Sequence, residues 1–85
     1  MPFDLPKPVR TIGTQMPVFI GTTGDAIDAI QSLSQDMRKK PHWHNAQELL
    51  FGAEESGTTS DLKAAHQAFE HALSVENWLH RPVAG

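Results

Sequence analysis

The order of strands and helices is decided by the stretch Pro17-Val18-Phe19-Ile20-Gly21-Thr22-Thr23-Gly24-Asp25, where a β-prone run passes into a helix start. The apolar run of residues 17–20 favours a strand, which Gly21 ends. Thr22 is placed to cap a helix, and Asp25 follows at the spacing of a capping box. The stretch therefore predicts a strand followed directly by a helix.

A second β-prone run lies upstream, from Val9 to Gly13. Residues 13–16 are the right length for a short link, and two strands so joined are most simply antiparallel. Pro17 cannot donate to a ladder, so it belongs at a strand start or on an edge. Three prolines among the first eight residues predict an extended or loose arm over residues 1–8.

Three amphipathic helices are predicted downstream of the hairpin. The first carries apolar residues at positions 26, 30, 33 and 37 and is stopped by Pro41. The second covers about residues 42–53, and the third is capped by Thr58 and runs to about Leu79. The sequence predicts an α+β fold, a short antiparallel β-hairpin packed against three α-helices. It forms one domain over residues 9–80, with a C-terminal tail over residues 81–85.

Composition limits the classes of function open to this chain of 85 residues. It contains no cysteine, which excludes disulfides, thiol catalysis and thiolate zinc sites. The formal charge of −3 argues against broad binding to nucleic acid or anionic membranes. No apolar run approaches the roughly 20 residues that span a bilayer, and the N-terminus lacks the features of a secretory signal. We expect a cytoplasmic protein.

The size of the domain favours self-association. A chain this short buries only about 60–65% of its unfolded surface, and a two-stranded ribbon is marginal unless something packs on it. The free edges of the hairpin could pair with a second copy, which would give a four-stranded sheet across a homodimer. A homodimer is therefore the expected assembly.

Histidine is the residue type most suggestive of chemistry, and His42, His44 and His66 are candidate metal ligands. Positions two apart on a helix point about 200° apart, so His42 and His44 converge only in an extended segment. His66 and Glu70 have the helical spacing of an interacting pair, half of a general-base arrangement. No nucleophile accompanies them, so the sequence predicts no enzyme and no cofactor.

Two further groups of residues are candidate binding surfaces. Trp78, Leu79 and Val83 could form an exposed apolar surface for a protein partner, or Trp78 could fold back on the hairpin. The basic cluster of Arg38, Lys39 and Lys40 could contact nucleic acid, although cations at a helix end explain it without a ligand. The sequence favours a non-enzymatic protein-interaction or regulatory module. A histidine-based metal-binding protein is the alternative, and a nucleic-acid-binding regulator is a weaker one.

The order of these features resembles a small bacterial family known as domain of unknown function 982. The matching residues are Pro17-Val18 or Pro8-Val9, Asp25-Ala26 with Ile30 and Leu33, Ala46, Leu50 and Gly57, and Ala65-His66-Gln67-Ala68-Phe69. The match covers roughly residues 9–75. His66 stands where the family has arginine, and the Trp-Pro pair after the first helix is absent. The resemblance implies the hairpin-and-helices fold and carries over no activity and no catalytic residue.

Overall fold

A computed structural model describes residues 3–12 and 19–78 and confirms the α+β fold. Strand β1 (Asp4–Arg10) and strand β2 (Phe19–Thr22) pair antiparallel as a two-stranded sheet. The helices follow as α1 (Thr23–Gln31), α2 (Gln35–Arg38), α3 (Pro41–Ser56) and α4 (Thr59–Val75). The predicted link, together with Pro17 and Val18, lies outside the described residues, as does the predicted tail.

Strand β1 begins at Asp4, five residues earlier than predicted, so most of the predicted arm belongs to the sheet. Pro6 and Pro8 lie between Asp4, which pairs with Thr22, and Val9, which pairs with Ile20. The register shifts within this interval, because prolines have no N–H to give to the partner strand. The prolines therefore interrupt the ladder without ending the strand.

The first predicted helix is divided into two. The hydroxyl of Ser32 donates to the carbonyl of Ala29 (2.7 Å), and α1 ends there. Ser34 then caps α2, its hydroxyl accepting from the Met37 amide (3.3 Å). Serine side chains can replace the helical partners of nearby backbone groups, which explains a break that the apolar spacing did not indicate. The Thr22 cap is confirmed, at 3.1 Å from the Asp25 amide.

The two long helices differ from the prediction mainly at their ends. Pro41 is the first residue of α3, a position where its missing N–H costs nothing. Thr58 caps α4 as predicted, accepting from the Asp61 amide at 3.2 Å. α4 ends at Val75, before the predicted Leu79, and Asn77 takes a left-handed conformation with φ 64°. The chain turns back toward the hairpin at that point.

The core lies between the hairpin and the inner faces of the helices. Its largest fully buried apolar side chains come from the hairpin and from three helices: Val9, Ile20, Ile30, Trp43, Leu50, Phe69 and Leu73. Burying each such side chain stabilises the fold by about 1.5–3 kcal/mol relative to leaving it in water. The predicted apolar stripes thus face inward.

The helices of this chain are short and carry charges. Within residues 3–12 and 19–78, no helix is long and apolar enough to cross a membrane. The longest of them, α4, has 17 residues and carries charges along its exposed side.

Candidate functional site

The predicted apolar surface at the C-terminal end is not formed by Trp78. Trp78 is half-buried, and its ring lies 5.8 Å from that of Trp43, so it packs against the core. Its backbone carbonyl accepts a hydrogen bond from the amide of Ile12 (2.8 Å). Of the two alternatives for Trp78, the structure shows the one in which the residue folds back instead of forming an exposed surface. Leu79 and Val83 lie outside the described residues.

Trp78 belongs to an aromatic corner, which we define as Trp43, Phe69 and Trp78 with the carboxylate of Glu76. Trp43 is fully buried and meets Phe69 edge-on at 6.2 Å. The indole Nε1 of Trp43 donates to Glu76 Oε2 at 3.2 Å. A buried indole N–H needs such a partner, so Glu76 completes the packing of the largest core side chain.

Lys40, just before α3, and His42, in its first turn, also lie near Glu76. Lys40 Nζ lies 3.3 Å from Glu76 Oε2, and His42 Nε2 lies 3.6 Å from the same oxygen, too far for a hydrogen bond. Burial raises the pKa of Glu76, but the hydrogen bonds from Trp43 and Lys40, the charge of Lys40 and the nearby His42 outweigh it. The pKa therefore lies below its ordinary value of 4.5. The carboxylate is held ionised as a clamp between α3 and α4.

This clamp also accounts for the basic cluster. Lys40 is paired with Glu76, and Arg38 is half-buried with its Nε lacking a hydrogen-bond partner among the described residues. Lys39 is exposed and forms no ion pair with a described residue. The pairing with Glu76 thus engages one of the three cations of this cluster within the fold.

The three candidate metal ligands do not converge. His42 and His44 both lie on α3, so they point to different sides, and each of the three histidines contacts a different carboxylate: Glu76, Glu48 and Glu70. Over residues 3–12 and 19–78, no group of three or more histidine, aspartate or glutamate side chains is placed to hold a metal ion. The predicted pair of His66 and Glu70 is confirmed, with Nδ1 3.4 Å from Oε1.

The exposed apolar surface lies on the hairpin instead, and we call it the hairpin face: Arg10, Ile12 and Phe19. Val9 and Ile20 point into the core, so side-chain alternation directs Arg10 and its partner Phe19 outward, with Ile12 two residues beyond Arg10. Phe19 is 56% exposed and Ile12 52%. Two large apolar side chains are thus exposed at this end of the hairpin.

A hollow adjoins the hairpin face. It has a volume of about 420 Å³, opens to solvent, and is lined by Phe19 and by Asp25, Asp28, Ala29 and Ser32. Exposed carboxylates on α1 thus lie beside the exposed ring on β2. Sequence reasoning placed Phe19 in a strand but did not find this surface. The sequence carries no signal for it, because the outward direction of Phe19 follows from the pairing of Val9 with Ile20, which only the structure shows.

The edges of the sheet differ in their protection. β1 contains Pro6 and Pro8 and the charged residues Asp4, Lys7 and Arg10, and the amide of Ile12 just beyond it is bonded to Trp78. β2 contains neither a proline nor a charge, and β1 is its only partner strand within the described residues. Charges and prolines are the usual protection of an edge strand, so β2 lacks the protection that the residues of β1 provide.

Comparison with known proteins identifies no relative of this chain. No family model, no curated protein and no solved structure matches the chain. The likeness to domain of unknown function 982 therefore remains an expectation based on its motif residues.

Proposed function

We propose that this chain is a non-enzymatic protein-interaction module of the cytoplasm that acts as a homodimer, joined through the hairpin. The observation that carries the proposal is the exposure of Phe19 and Ile12 on the hairpin, next to a strand that contains neither charge nor proline. A cysteine-free sequence is compatible with the reducing cytoplasm.

The pairing strand in this proposal is β2. Two copies of Phe19–Thr22 running antiparallel about a twofold axis would give a four-stranded sheet in the order β1-β2-β2-β1. The outer edge of β1 is the poorer choice, because Pro6 and Pro8 offer no donors there. The new edges of the four-stranded sheet would then be the protected ones, so the assembly would stop at two copies.

The hairpin face and its hollow are complementary to a second copy of themselves. In a twofold contact the same surface meets itself, so Phe19 of one copy can enter the hollow beside Phe19 of the other. Arg10 projects from this face and forms no ion pair with a described residue, while Asp25 and Asp28 line the hollow. Opposite charges across the contact would fix its register.

The expected affinity is modest. Burying one Phe or Ile side chain contributes about 1.5–3 kcal/mol, whereas association costs about 4–15 kcal/mol in lost freedom. Four such side chains contribute about 6–12 kcal/mol, so a dissociation constant on the order of micromolar, about 8 kcal/mol, is expected when the association cost is near the lower end of its range.

The test is the mass in solution of the full chain and two matched variants. Phe19→Lys places a charge on the hairpin face, and Phe51→Lys changes another exposed phenylalanine, 44% exposed on α3. We expect analytical ultracentrifugation to give two-chain mass for wild type and Phe51→Lys, decreasing to one chain on dilution, and one-chain mass for Phe19→Lys. Circular dichroism checks that all three fold.

A charge exchange sharpens the same test. Arg10→Asp should weaken the dimer, and adding Asp28→Arg should restore part of the loss, because the pair across the contact regains opposite signs. One-chain mass for wild type at about 100 μM, a hundred times the expected dissociation constant, would contradict the proposal. Equal weakening by Phe51→Lys would also contradict it.

A further inference from the structure

We propose that a second hollow, between β1 and α4, binds a small phosphate monoester. It has a volume of about 370 Å³, within the size range of small-molecule sites. Its lining comes from two elements, with Pro6 and Lys7 on β1 and Lys63, His66, Gln67 and Glu70 on α4. It lies apart from the hairpin face and does not depend on dimerisation.

Two lysines from different elements face this hollow. Lys7 and Lys63 are both exposed, and neither forms an ion pair with a carboxylate among the described residues. Two like charges brought to one hollow repel each other. An anion between them would remove that repulsion and gain a favourable interaction with both ammonium groups.

His66 shows that the hollow is more than a pair of surface lysines. It is only 8% exposed, and its Nδ1 lies 3.4 Å from Glu70 Oε1. Its Nε2 is buried and has no hydrogen-bond partner within the described residues. An unsatisfied buried polar atom is unfavourable, so His66, which lines the hollow, carries beneath its surface a nitrogen that no described residue uses.

The donors in the lining favour a phosphoryl group over a carboxylate. A phosphate monoester carries about 1.5–2 negative charges at pH 7, so it gains more from two lysine ammonium groups than a singly charged carboxylate does. Gln67 adds an amide donor. Glu70 can accept a hydrogen bond from a hydroxyl of the organic part, and Pro6 gives that part an apolar wall. This division of roles points to a small hydroxylated phosphate monoester.

The test is an NMR titration of the full chain with three probes: glycerol 3-phosphate, inorganic phosphate and acetate. We expect saturable shifts at Lys7, Lys63 and His66, with glycerol 3-phosphate binding more tightly than inorganic phosphate and acetate binding least. Lys63→Gln should weaken glycerol 3-phosphate about tenfold, as expected for one lost charged hydrogen bond. Lys39→Gln, an exposed lysine elsewhere, should leave the affinity unchanged.

Three results would overturn the inference. Shifts that do not saturate by about 10 mM would mean no site, since millimolar binding is already only about 4 kcal/mol. Equal affinity for glycerol 3-phosphate and either other probe would reject the monoester. An equal loss of affinity for glycerol 3-phosphate in Lys39→Gln would mean that only the net charge of the chain matters. Lys7→Gln provides a second exposed variant should Lys63→Gln misfold.

Discussion

The aromatic corner and the hairpin face both contain large aromatic side chains, which are mostly buried in the aromatic corner and exposed on the hairpin face. In the aromatic corner, Trp43 is fully buried and its only polar atom is satisfied by Glu76. On the hairpin face, Phe19 is 56% exposed beside a strand edge that carries no charge. The first region therefore stabilises the monomer, and the second leaves apolar surface for a partner. Substitutions in the two regions should separate folding from association.

The largest expected effect is the loss of Trp43. Trp43→Ala removes a fully buried indole and should lower the free energy of unfolding by about 3–5 kcal/mol. A domain of this size has only about 4–13 kcal/mol in total. Urea denaturation followed by far-ultraviolet circular dichroism measures the change. Phe19→Ala is the control, and if it destabilised the monomer equally the contrast between the two regions would be wrong.

A smaller loss is expected when only the polar partner of Trp43 is removed. Glu76→Leu leaves the indole N–H without an acceptor, which costs about 1–3 kcal/mol. Glu48→Leu removes an exposed carboxylate that only approaches His44 on the surface, so its effect should stay below about 1 kcal/mol. Paired urea titrations compare the free energies of unfolding of the two variants. Equal losses would show that the hydrogen bond from Trp43 to Glu76 does not stabilise the fold.

Protonation of Glu76 in acid should reproduce part of the loss of stability expected for Glu76→Leu. The folded pKa of Glu76 is below 4.5, so the ionised clamp contributes its full stability above about pH 4.5 and loses it as the pH falls through the folded pKa. Unfolding free energies of wild type and Glu76→Gln, measured between pH 6 and pH 3, should therefore converge as the pH falls. Parallel curves would show that the carboxylate charge contributes nothing.

The smallest effect should follow from Lys40→Gln. Lys40 is one of several donors near Glu76, and its side chain is 44% exposed, so solvent screens the pair. We expect a loss of at most about 1 kcal/mol, which shrinks further at high salt. Thermal denaturation at low and high salt measures it. A loss as large as that of Glu76→Leu would place the stabilisation in the ion pair rather than in the indole hydrogen bond.

Much of this fold could be predicted from local chemistry. The caps at Thr22 and Thr58 and the apolar spacing of the helices identify the order of elements correctly. The break at Ser34 was missed because the apolar stripe continues across it, and only the serine caps reveal it. Strand β1 was predicted too short because of its prolines. A proline has no backbone N–H to donate, but the sequence does not show whether that position faces the partner strand or the free edge of the sheet.

The candidate surfaces were harder to predict because each depends on contacts between distant segments. Trp78 turns onto Trp43 through the left-handed Asn77, and no spacing rule indicates that turn. Phe19 stands in a continuous apolar run, where alternation gives no sign of which side chains face out. Lys7 and Lys63 share a hollow only because β1 lies against α4.

The hydrogen bond from Ile12 to Trp78 has a consequence for biosynthesis. The hairpin is made first, and the Ile12 amide gains its partner only after the whole of α4 has been added to the nascent chain. Until then β1 lacks the C-terminal segment that lies against its end. Incompletely synthesised chains should therefore be more prone to pair wrongly with one another than complete ones.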